Sequence, residues 1–217
     1  VTARAEILRR VRAAVGDERA AEAALAPADG AATRAYLRSH ADAEVTELFA
    51  ERVADYRAVV SRVAAAEVPA AIAAAAAALG LAVVVVAPGF PPAWLPGSGG
   101  VTWRADDPPL SVEDLDRCDA ALTTAALGIA VTGTIVLDAS AGQGRRALTL
   151  VPDAHLCVVR ADQIEPDVPD ALGRLDPSRP LTFISGPSAT SDIELERVEG
   201  VHGPRTLHVI IAEGAAG

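Results

Sequence analysis

At Leu81 the spacing of apolar residues changes, and that change limits the folds this chain can adopt. Before it, apolar side chains recur every three to four positions; after it they gather in short β-branched runs such as Val83 to Val86 and Ile135 to Leu137. The first pattern belongs to amphipathic helices, the second to strands covered on both faces. Strands are expected at residues 82–86, 119–124, 132–138, 155–160, 181–185 and 207–212, interleaved with helical and loop segments. That alternation predicts an α/β fold with a mostly parallel sheet flanked by helices. Residues 1–66 are assigned to a helical segment packing on the core, and residues 67–217 to the α/β domain. Ligands of such sheets favour the carboxyl ends of the strands.

Within the helical part, Thr2 can cap a helix with the stripe Ile7, Leu8, Val11 and Val15, closed by Gly16. Val45, Leu48, Phe49, Val53, Tyr56, Val59, Val60 and Val63 predict one long helix. An alanine-rich helix should begin at Pro69 and stop at Gly80, its small side chains permitting close approach to a sheet. Ser111 caps a short helix, Phe90 and Trp94 sit in a Pro- and Gly-rich loop, and Gln163 to Leu175 reads as a broken helix.

Composition excludes several chemistries. The net charge is −10, with no basic block beyond the amphipathic N-terminus, which argues against nucleic acid. The apolar run around Ala70 to Ala87 is interrupted by Gly80, so no membrane span is expected. All 19 basic residues are arginine, leaving no lysine for a P-loop or a Schiff base. Two cysteines, Cys118 and Cys157, cannot furnish the four thiolates of an iron–sulfur cluster. Free buried thiols and no signal-peptide pattern predict a reducing bacterial cytoplasm.

The densest group of chemically useful side chains lies in 181–205, LTFISGPSATSDIELERVEGVHGPR. A strand ends at Gly186 and is followed by Ser188, Thr190, Ser191, Asp192, Glu194 and His202. Hydroxyls and backbone N–H groups there can hold an anion, and Asp, Glu or His can move a proton. Ser188, Asp192 and His202 stand in the order of a hydrolase triad, but the closing glycine of a nucleophile elbow is missing. Asp192, Glu194, His202 and His155 lack a fixed ligand spacing, so no metal site is assigned. The plain alternative is that Asp192 and Glu194 cap turns and His202 bonds backbone.

Two glycine-containing turns are further candidates. Thr132, Gly133 and Thr134 could hold a phosphate or carboxylate without lysine, or Gly133 could merely permit tight packing. Residues 142–147, GQGRRA, match a dinucleotide fingerprint, yet the β-compatible Leu148 to Val151 predict a turn into another strand. Arg145 and Arg146 could face an anionic ligand or lie singly exposed.

The ordered motifs GIAVTGTIVL, GRRALTLVPDAHLCVV, FISGPSATSDIE and GVHGPRTLHVII resemble the LUD-domain family over about residues 119–213. The opening AEILRRVR is similar to the family's first helix. The resemblance implies a fold like the ribose-5-phosphate isomerase, glucosamine-phosphate deaminase and CoA-transferase group (NagB/RpiA/CoA transferase-like). It also implies a subunit without a cofactor of its own, working with iron–sulfur lactate-utilisation partner proteins that oxidise L-lactate to pyruvate. One position departs: the family commonly has Glu before Thr-Gly-Thr, where this chain has Val131. A proton-transfer role for that glutamate therefore does not carry over.

The resulting expectation is a pocket for a small anionic ligand. Its binding residues are Thr132, Gly133, Thr134, Ser185, Gly186, Ser188 and Arg145, with His202, Glu194 and Asp192 as catalytic candidates. The alternatives are an enzyme acting on a phosphorylated or CoA-linked small molecule, and a non-catalytic scaffold or regulator.

Overall fold

The computed structural model describes residues 3–15, 44–97, 99–190, 198–199 and 203–214. The chain divides into two units, Val1–Leu37 and Arg38–Gly217. In the first, helix α1 (Ala3–Val15) carries Glu6, which pairs with Arg9 at 2.7 Å and Arg10 at 2.9 Å. Such helix-surface pairs stabilise by a few tenths of a kcal/mol, about 0.2–0.5 each.

The second unit opens with α2 (Val45–Asp55), capped by the Glu44 carboxylate, which accepts from the N–H groups of Thr46 and Glu47. Its buried face is Thr46, Phe49 and Val53. The helix does not continue to Val63 as its spacing suggests. Arg57 turns into the left-handed region at φ 67°, and Val59–Ala64 forms strand β1. The three-to-four pattern is overridden by pairing: β-branched Val59, Val60 and Val63 gain a ladder along the last strand, which a lone helix could not offer.

Helix α3 (Val68–Ala78) begins with Pro69 in its first turn, and Gly80, at φ 65°, follows it. Then come β2 (Val83–Val86), β3 (Thr102–Ala105), α4 (Val112–Asp116) with Ser111 as its cap, and β4 (Ala120–Thr124). A short strand that the sequence reading did not separate, β5 (Leu127–Ile129), pairs antiparallel with β6 (Thr134–Leu137). Residues 146–149 form a 3₁₀ turn instead of the expected strand, and β7 (Ala154–Arg160) follows. The remaining elements are β8 (Ile164–Glu165), α5 (Val168–Arg174), β9 (Thr182–Ile184), β10 (Ala189–Thr190), β11 (Val198–Glu199) and β12 (Thr206–Glu213).

Six strands make a wholly parallel sheet in the order β1-β12-β7-β4-β2-β3. A smaller sheet, β8-β5-β6-β9, and the β10-β11 ladder lie beside it in sequence. One face of the large sheet presents Cys157, Val159, Val209 and Ile211 to Phe49 and Val53 of α2. The other presents Leu122, Leu156, Val158 and Ile210 to Val68, Ile72 and Ala75 of α3. Both faces are therefore largely apolar, which is why β7 and β12 read as hydrophobic stretches interrupted within by His155 and His208. Phe90 and Trp94 join the α3 side, buried, with ring centroids 6.5 Å apart in an edge-on arrangement.

Candidate functional site

Strand β9 places the Ser185–Ser188 segment. It pairs with β6 through Val136 to Phe183 and Ile135 to Ile184, which sets Ser185 beside Thr134. The Ser185 and Thr134 hydroxyl oxygens are 2.8 Å apart, and Thr134 is 2.7 Å from that of Thr132. The two candidate turns are thus joined by a chain of hydroxyls. The Thr-Gly-Thr backbone, however, is used for packing. Gly133 donates its N–H to the Ala130 carbonyl, and a Cβ on Gly133 would lie 2.6 Å from the Arg52 carbonyl carbon. Gly186 is held likewise, since a Cβ there would lie 2.6 Å from Tyr56 Cβ. Both glycines have positive φ, 58° and 84°, so each solves a turn and a close approach to the end of α2.

Ser185, Gly186, Pro187 and Ser188 form one wall of a cavity of about 250 Å³. Gly203, Pro204 and Leu207 form a second wall, and Arg146, Thr149 and His155 a third. The Ser188 N–H donates to the Pro204 carbonyl at 2.8 Å and ties the first two together. Arg146 donates to the carbonyl and hydroxyl oxygens of Thr149 at 2.9 and 2.7 Å. No carboxylate among the described residues forms an ion pair with Arg146. Burial lowers its pKa, the expected direction for a cation moved out of water.

His155 is only 1% exposed, with Nε2 2.8 Å from the Thr123 hydroxyl. Burial, with a smaller contribution from the nearby Arg146 charge, pushes its pKa down to about 4. The imidazole is therefore neutral at neutral pH, leaving Arg146 as the cation of this wall. The cavity lies at the amino ends of β7 and β12, against the expectation that a ligand pocket sits at the carboxyl ends.

Arg145 is taken elsewhere. It makes a two-pronged pair with the buried Asp106 at 2.8 and 2.9 Å and donates to the Leu110 carbonyl at 2.6 Å. Burial alone would raise the Asp106 carboxyl; Arg145 and the Leu110 N–H outweigh it and hold the pKa below the ordinary value. Arg145 is a structural clamp, and its neighbour Arg146 is the arginine on the cavity wall. Asp192, Glu194 and His202 lie outside the described residues. Among the described residues no group of three His, Cys, Asp or Glu could hold a metal ion.

The carboxyl ends of the parallel strands carry a separate crevice of about 530 Å³ that the sequence reading missed at residue level. Gly89, Thr124, Ser140, Gln143, Arg160 and Arg174 are among its lining residues. The signal was present in the glycines of the loops after 86 and 138, but five segments must fold before those residues meet.

The LUD domain family model matches residues 111–212, from the start of α4 into β12. A Deinococcus radiodurans protein named lactate utilization protein C is 52% identical over 174 residues, covering 78% of this chain and 80% of that one. A Bacillus subtilis protein of the same name is 28% identical over 121 residues, covering 51% of this chain and 50% of that one. The crystal structure of a DUF162 family protein from Deinococcus radiodurans has a TM-score of 0.67 and 45% identity, covering 79% of this chain and 97% of that one. Sequence and fold agree, and the chain belongs to the LUD-domain family.

Proposed function

We propose that this chain is a cluster-free subunit of a cytoplasmic L-lactate oxidation system, working beside iron–sulfur partner proteins and holding a small carboxylate in the cavity under Ser185–Ser188. The names of its relatives support the lactate role. The two cysteines of this sequence are fewer than the four thiolates a cluster takes, which supports placing the clusters in partners.

The observation that carries the binding half is Arg146. A partly desolvated guanidinium without a described carboxylate partner gains most from an anion placed against it. The Ser185 hydroxyl, also part of the lining, adds polar contact. At about 250 Å³ the space is smaller than the roughly 300–1,000 Å³ of drug-sized sites, and suits a three-carbon acid better than a nucleotide.

Two measurements test the reading. Lactate-dependent dye reduction by the purified partners should need this subunit, and unchanged activity without it would refute the role. Arg146→Gln should weaken lactate or pyruvate binding about tenfold or more, the effect of removing one charge-assisted contact. Unaltered affinity would remove the cavity from the reading.

A further inference from the structure

The crevice at the other end of the parallel strands has the features of a second binding site. His155 and Arg160 are five residues apart on β7, so the two openings are separated by about 17 Å along one strand. The crevice lies where the strand order reverses: β2 leads to β3 on one side, and β4 leads toward β7 on the other. Loops diverge at such a point and leave a gap above the sheet.

Its floor is built in advance. Gln143, 3% exposed, accepts from the Asp138 N–H at 2.6 Å and donates to the Ser140 hydroxyl at 2.6 Å, which donates to the Asp138 carboxylate at 2.5 Å. The Gly142 N–H donates to the Pro88 carbonyl, and the Thr124 N–H donates to the Gly142 carbonyl, each at 2.7 Å. These bonds pin the 138–144 loop across the ends of β2 and β4. A Cβ on Gly142 would lie 2.6 Å from Thr124 Oγ1, so the loop could not sit this low with another residue there.

The walls are of two kinds. Pro91, Ala93, Ala126 and Leu175 offer accessible apolar surface, while Arg160 and Arg174 bring two guanidinium groups to the lining beside the Asp138 carboxylate. The acids that pair with these arginines, Asp162 and Glu165, are not part of the lining. The Arg160–Asp162 pair is exposed at both ends and of little worth, so it can be exchanged for a ligand.

We propose that this crevice binds an organic dianion carrying a flat ring and a phosphate, the ring against the apolar lining of Pro91, Ala93 and Leu175 and the phosphate at Arg160 and Arg174. Two guanidinium groups match the charge and the oxygen geometry of a phosphate. A nucleoside monophosphate is the simplest member of this class.

Calorimetric titration of the whole protein with AMP tests it. Saturable one-to-one binding is expected, weakened at least about tenfold when adenosine or inorganic phosphate replaces AMP. The double variant Arg160→Gln, Arg174→Gln should lose at least about tenfold in affinity. Ala93→Glu, which sets a carboxylate at the exposed rim, should do the same without touching the arginines. Arg117→Gln, remote from the lining, should bind as the parent does. Absence of saturable AMP binding, or an affinity indifferent to both the double variant and Ala93→Glu, overturns the proposal.

Discussion

Gly133 is packed directly on the backbone of Arg52: an added Cβ would sit 2.6 Å from its carbonyl carbon and 2.8 Å from its carbonyl oxygen. Neither group can move without unwinding the last turns of α2. Gly133→Ala, strained also by φ 58°, should destabilise the fold by roughly 1–3 kcal/mol. Gly173→Ala, in α5 with nothing beyond its own helix backbone within 4 Å of an added Cβ, should be neutral or stabilising by up to about 1 kcal/mol. Urea midpoints of the two variants provide the comparison.

Stability should fall in mild acid through His155. Its folded pKa of about 4 lies below the unfolded value of 6.5, so between them the unfolded chain binds the extra proton. The contribution is complete above pH about 6.5 and is lost as pH falls to about 4, a loss on the order of 3 kcal/mol. His208, lowered by burial, adds a slope of the same sign. Urea unfolding across this range should show His155→Gln with a clearly flatter profile than the parent; an unchanged slope would assign the effect elsewhere.

Arg145→Gln should leave the buried Asp106 carboxylate with the Leu110 N–H but no cation. Arg145 is itself partly solvated, so the expected cost is moderate, roughly 1–3 kcal/mol. Thermal melting should register the loss while ligand binding in the Ser185–Ser188 cavity is retained. Asp106→Asn in the same background should recover part of the stability, because no buried charge is then left unpaired.

Both thiols should be inert in the folded protein. Burial pushes Cys157 up to about 12, and Cys118 upward as well, so little thiolate exists at mildly alkaline pH. Ellman's reagent should label neither cysteine natively and both in guanidinium. Rapid native labelling would mean that the β4–β7 region opens more readily than its packing suggests.

The stretches at 83–86, 120–124, 154–160 and 206–213 were legible because a parallel strand covered on both faces is mostly apolar along its length. Residues 59–64 were not legible, since their spacing fits a helix and their partner is 147 positions away, as between Ser61 and His208. That Thr134 and Ser185 meet follows from the β6–β9 pairing, whereas the hydroxyl-rich character of both turns was legible from residue type. Which of two adjacent arginines would face the cavity was not. Arg145 has extended backbone, φ −81° and ψ 155°, and precedes the 3₁₀ turn that begins at Arg146, so the two side chains part toward Asp106 and Thr149. The crevice is not legible in the sequence because its arginines, glycines and Gln143 converge only through the strand order.

In the large sheet β12 lies between β1 and β7, so that among the described residues the earliest strand pairs with the latest. At ordinary translation speeds about 140 residues separate them, a delay on the order of ten seconds. Through that interval Val59–Ala64 carries an unpaired ladder edge on β-branched residues, the kind of surface that recruits strands from other nascent chains. Recovery of soluble protein should therefore depend on how quickly the ribosome completes β12, and slow codons between β1 and β12 should cost more product than slow codons before β1.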